Sequence, residues 1–215
     1  MRQSKTEESI LPVERPIIAI EGIDDYMNTV QTRMVYEYIL GRGYTSKNGY
    51  NVLTSTGVPV IGNQVNGADV VRENNNLMRG LGRFFETKDS DGNLVSRGIL
   101  VANGYKLETF AYQTIERPKG NLEAAYIKLP ENITFLIDVS PEQAVKRMRE
   151  MRHSNGIPEP GFLSKLRKLH NEYGELRGVI RLDGQEDEQV IFSMITDHLG
   201  RFFPIVKRKR KEKPL

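Results

Sequence analysis

No cysteine and no tryptophan occur among the 215 residues, and only three histidines do. Without cysteine there are no disulfides and no thiolate metal sites, which fits a reducing compartment, the cytoplasm or another intracellular one. His153 stands away from any Cys/His/acid cluster, so no metal centre is expected there. Long apolar runs are also missing. Nothing approaches the roughly 20 residues of a membrane span, and residues 1–15 lack the apolar centre of a signal peptide, so no membrane partner is expected. Charge of one sign is scarce in the body of the chain. The net charge is +3, but residues 207–215 alone hold six basic residues and one acid, leaving the remainder at −2. A basic nucleic-acid-binding body is thereby excluded. The tail itself can touch nucleic acid or an acidic partner protein, serve as a nuclear-localisation signal, or stay solvated.

What is present is a run of alternating strands and helices. Ile17-Ile18-Ala19-Ile20 is short, unbroken and β-branched, as in a strand buried on both faces. A loop from Glu21 to Asn28 comes next, and then Val30, Met34, Val35, Tyr38 and Ile39 recur at helical spacing. Further strands are expected at residues 50–53, 99–102, 133–139 and 179–184. Ser140-Pro141-Glu142 is a helix start, with a serine cap, proline at the first position and an acid in the first turn. Amphipathic helices are expected over 162–176 and 186–199. Together these predict a three-layer α/β/α sandwich on a five-stranded, mainly parallel sheet. The domain spans residues 16–203, between a loose N-terminal arm (1–15) and a basic C-terminal tail (204–215).

A strand, a glycine-bearing loop and a helix form the frame of a phosphate-binding loop. Gly22 supplies the first glycine of G-x-x-x-x-G-K-[ST]. The second glycine falls on Met27 and the lysine on Asn28, while Thr29 keeps the hydroxyl that could hold Mg²⁺. Glu21-Gly22-Ile23-Asp24 with Thr29 and Gln31 resembles the EGIDGxGK[ST]TQ opening of thymidylate kinases. The resemblance continues through Arg83, through Tyr105 with Ala111-Tyr112-Gln113, and through Thr134–Arg147, which follows T-F-L-L-D-V-[PS]-P-E-x-A-x-x-R nearly residue for residue.

The resemblance implies the fold of P-loop nucleoside monophosphate kinases and nucleotide contacts at Gly22, Asp24, Asn28 and Thr29. It implies substrate contacts at Arg83, Tyr105, Tyr112 and Gln113, and a mobile lid over about 149–161 carrying Arg149 and Arg152. Asp24 would lie near the sugar of the monophosphate; as a loop aspartate it could equally bond its own backbone. A homodimer is implied too, as are ATP and Mg²⁺ if the chain is a kinase.

Three of the family's cations are absent at matched positions, replaced by Asn28, Ser55 and Gly104, and the family's acid before the last of these is replaced by the neutral Asn103. Losing one preorganised donor typically costs about 3–4 kcal/mol of transition-state stabilisation. No residue is therefore assigned as catalytic. The reading is a catalytically inactive kinase-like protein that binds a nucleotide or a partner. The alternatives are a divergent active deoxynucleoside monophosphate kinase, or a nucleic-acid accessory protein acting through residues 207–213.

Overall fold

A computed structural model describes residues 16–45, 50–55, 98–104, 133–150 and 158–206, with Leu107, Phe110, Ala111, Thr114 and Ile115. Five strands, β1 (Ile17–Gly22), β2 (Asn51–Ser55), β3 (Gly98–Asn103), β4 (Ile133–Asp138) and β5 (Ile180–Asp183), form one sheet in the order β2-β3-β1-β4-β5. Every pairing is parallel, so the mainly parallel expectation becomes an all-parallel sheet. Four helices are described: α1 (Asp25–Gly41), α2 (Pro141–Glu150), α3 (Pro160–Arg177) and α4 (Glu188–Phe202).

Strand side chains alternate between two cores, as the pleat requires. Ile18, Ile20, Ile99, Val101, Phe135 and Ile137 join Val35 and Ile39 of α1 and Ile191, Ile195 and Leu199 of α4. On the opposite face Ala144, Val145 and Met148 of α2 meet Leu163 and Leu166 of α3, together with Ala111. These are the three layers expected. The ends of α1 and α4 are tied together. Arg42 Nη1 donates to Phe203 O at 2.8 Å, its backbone O accepts from Val206 N, and its guanidinium stands 4.9 Å from the Tyr38 ring centroid.

Boundaries move by one to three residues in most elements, and the largest difference is at α1. The loop expected over Glu21–Asn28 is only Ile23 and Asp24, because the helix begins at Asp25. Asp24 is a good N-cap and Asp25 puts an acid in the first turn. No second glycine interrupts the first turn, so the helix takes in Tyr26, Met27 and Asn28. Its buried face also differs from the apolar stripe. Met27, Asn28, Gln31, Thr32, Val35 and Ile39 are buried, while Val30, Met34 and Tyr38 are partly exposed. The cap expected at Ser140 is present, its Oγ accepting from Gln143 N at 3.2 Å.

Candidate functional site

In an open parallel sheet, ligands bind beyond the carboxyl ends of the strands where neighbouring connections leave in opposite directions. Here β1 sits between β3 and β4. The ends of these three strands, Gly22, Asn103 and Asp138, therefore define the candidate crevice.

Gly22 is required by close approach. A Cβ there would stand 2.5 Å from Ile137 O of β4 and 3.2 Å from Asn28 Oδ1. Asn28, at the lysine position of a phosphate loop, is 2% exposed and folds back on the loop. Its Nδ2 donates to Gly22 O at 2.9 Å, and its Oδ1 has no donor. An anion needs donors at this point, and an unpartnered acceptor oxygen is the opposite.

Asp24 is fully buried. One carboxylate oxygen accepts from Met27 N at 3.2 Å and the other pairs with Arg147 Nη1 at 3.2 Å. The local backbone bond anticipated for a loop aspartate is thus formed. Burial pushes the Asp24 carboxyl above the usual carboxylate range, an effect that the Met27 N–H and Arg147 only partly offset. Arg147 also donates to Gly184 O at 2.6 Å and to Glu186 O at 3.4 Å. The turn between β5 and α4 is thereby joined to the start of α1.

Thr29 is exposed, and its Oγ1 accepts from Asn103 Nδ2 at 2.9 Å. Behind it the buried Glu21 accepts from Leu107 N at 3.0 Å, and Gly104 N donates to Ile20 O at 2.8 Å. At the end of β4, burial tends to raise the Asp138 carboxyl, but Arg167 and Arg181 outweigh it and hold it at about 2. Arg167 binds both oxygens, at 2.6 and 3.0 Å, and Arg181 bonds one of them. Among the described residues, no group of three or more His, Cys, Asp or Glu side chains could hold a metal ion.

Gly22, Asp24, Asn28 and Thr29 lie together where β1 ends and α1 begins. Arg149 lies exposed in the last turn of α2. Arg83, Tyr105, Tyr112, Gln113, Arg152, the 1–15 arm and the 207–215 tail lie outside the described residues. So does most of the expected lid, whose last residues, Pro160 and Gly161, already belong to α3. In the sequence Arg147 stands only as part of a pattern, and Glu21 gives no sign of its burial. An arginine three residues after an alanine, on a helix following an apolar strand, is the signal that could have found the first of them.

These features define a three-layer α/β protein of the P-loop kinase type. Among solved structures, a deoxyadenosine kinase from M. mycoides with dCMP and a flexible dCDP bound shares this fold. Its TM-score is 0.60 at 13% identity, covering 86% of this chain and 98% of that one. A probable thymidylate kinase of Thermoplasma acidophilum is 27% identical over 209 residues, 91% of this chain and 98% of its own length. A thymidylate kinase of Thermoanaerobacter sp. (strain X514) is 26% identical over 208 residues, 86% of this chain and 97% of its own. No protein-family model matches the chain. In sequence the chain is thus similar to thymidylate kinases over nearly its whole length, and in fold to a deoxynucleoside kinase.

Proposed function

We propose that this chain is a thymidylate-kinase-like protein that binds a nucleotide, or docks a partner protein, without transferring phosphate. The observation that carries the reading is the Asn28 amide turned back onto Gly22 O, where a kinase needs a lysine on the β- and γ-phosphates. The guanidinium that reaches the loop, Arg147, is engaged by Asp24 and two backbone carbonyls. Phosphoryl transfer is chiefly positioning and charge stabilisation, so a loop with no free cation among the described residues keeps the scaffold and loses the catalyst. Thermal melts with dTMP, thymidine and ATP test the binding half. A ligand at 100 times its Kd adds about 2.7 kcal/mol of stability, and a chain unmoved by every nucleotide would leave partner docking as the reading.

A divergent active kinase, using ATP and Mg²⁺ on dTMP or a related deoxynucleotide, is the second reading. The matched relatives favour it, since they bear the name thymidylate kinase and align over nearly the whole chain. A coupled assay with each deoxynucleoside monophosphate separates the two readings. The double variant Met27→Gly/Asn28→Lys is expected to gain activity if the scaffold is otherwise intact. Action through the basic tail predicts salt-sensitive DNA retardation that disappears when residues 207–215 are removed.

A further inference from the structure

Thr29 holds the one position of the phosphate loop where a hydroxyl ligates Mg²⁺, so its surroundings decide whether a metal fits. A hydroxyl that serves a cation keeps a lone pair for the metal and passes its proton to a neighbouring carboxylate, and Mg²⁺ itself demands carboxylate and phosphate oxygens. Here the polarity is reversed. Asn103 donates its amide N–H to Thr29 Oγ1 at 2.9 Å, taking one of the hydroxyl's two lone pairs at the place where a cation site offers a carboxylate. In either orientation of the amide, Asn103 brings no charge to a cation.

The nearby carboxylates are engaged as well. Asp24 is taken by Met27 N and Arg147, and Glu21 by Leu107 N. Asn28 Oδ1 is a neutral oxygen, so the first charge-bearing ligand is still lacking. Among the described residues, those at this crevice do not fit Mg²⁺.

We infer that Asn103 makes this crevice metal-independent, so that its ligand is a nucleoside or nucleoside monophosphate rather than a Mg²⁺-bound triphosphate. The inference rests on the nucleotide-binding reading for its ligand class, whereas its metal half stands on the neutral Asn103 amide beside Thr29 and on the engaged carboxylates around it. A triphosphate brings about four negative charges that the family neutralises with lysine, arginine and metal together. With the first and last of these absent, the monophosphate or the bare nucleoside has the smaller demand.

Mn²⁺ titration followed by EPR, on the full chain with and without ATP, reads the metal without reference to catalysis. The wild type is expected to leave the Mn²⁺ and Mn²⁺–ATP signals as they are in buffer. Asn103→Asp, which puts a carboxylate beside the Thr29 hydroxyl, is expected to give a protein-bound signal. A protein-bound signal in the wild type that weakens in Thr29→Val would overturn the inference. So would an Asn103→Asp variant as silent as the wild type, because the amide would then not be the group that keeps the metal out.

Ligand class is read in parallel by melts in EDTA and in Mg²⁺. A shift from dTMP or thymidine that is equal in both buffers supports it, and a shift from ATP that requires Mg²⁺ contradicts it. If no nucleotide shifts the melt in either buffer, the nucleotide-binding reading and the ligand class fail together, while the EPR result still decides the metal.

Discussion

Asp24 and Arg147, 123 residues apart in the chain, meet at 3.2 Å between the first helical turn and the helix after β4. The contact ties two loops to α2 at one end of the sheet, because the same guanidinium holds Gly184 O and Glu186 O of the β5–α4 turn. The carboxylate is fully buried and the arginine side chain is 14% exposed, so the two partners do not tolerate each other's loss equally.

The two single variants should therefore behave differently. Arg147→Met leaves Asp24 buried and charged, with no cation, and is expected to lose on the order of 3 kcal/mol. Asp24→Asn keeps the helix cap, since asparagine caps as well as aspartate, and it removes a charge that burial already disfavours. Its melting temperature should equal or exceed that of the wild type. Urea unfolding of both variants checks the asymmetry, and equal losses would mean that the ion pair matters through its charge alone.

His170 lies wholly buried on α3 with neither ring nitrogen partnered, and burial lowers its pKa to about 4 despite the neighbouring Asp138 charge. The folded chain thus favours the neutral ring, and the unfolded chain takes up the proton first as pH falls from the ordinary 6.5. Stability should fall progressively between about pH 6.5 and pH 4, by on the order of 3 kcal/mol in full. His170→Leu is expected to flatten this part of the pH–stability curve. A curve with the same slope in both proteins would show that other groups carry it.

Asp138 acts at lower pH. Its folded pKa of about 2 lies below the ordinary 3.8, so the stability it contributes is present above that value. It is lost as pH falls from about 4 through 2. Arg167 and Arg181 are partly solvent-screened, so the contribution is about 1 kcal/mol. Asp138→Asn should lower stability at pH 7 by that amount and become indistinguishable from the wild type near pH 2.

How much of the fold and site is legible in the residues alone depends on the kind of interaction. Ile17–Ile20 and Phe135–Ile137 announce themselves because a strand covered on both faces must be continuously apolar. Ser140-Pro141 announces α2 through local cap chemistry. The start of α1 is hidden by the motif itself. A phosphate-loop template demands a wide loop, whereas Asp24 followed by a glycine-free stretch favours an early helix. Burial of Asn28, Gln31 and His170 leaves no sign in the sequence, because polar residues enter a core only where tertiary neighbours permit it. The Asp24–Arg147 pair joins positions whose separation leaves no local trace.

Gly22 tests the geometry of the loop directly. A methyl group there would meet Ile137 O at 2.5 Å, and a backbone carbonyl of a central strand cannot easily give way. Gly22→Ala should cost on the order of 1–3 kcal/mol and loosen the Asn28 contact with the loop. Amide hydrogen exchange at β1 and β4 would register both effects, and unchanged protection would place the loop elsewhere.

Whether the scaffold has lost its catalyst is decided by following dTDP formation from dTMP and ATP with Mg²⁺, by chromatography, on the purified full-length chain. No product above a protein-free control is expected from the wild type, and product is expected when Met27→Gly/Asn28→Lys is combined with Asn103→Asp, which returns the lysine and the metal's carboxylate together. Wild-type turnover that scales with protein and vanishes in Thr29→Val would contradict the loss of catalysis.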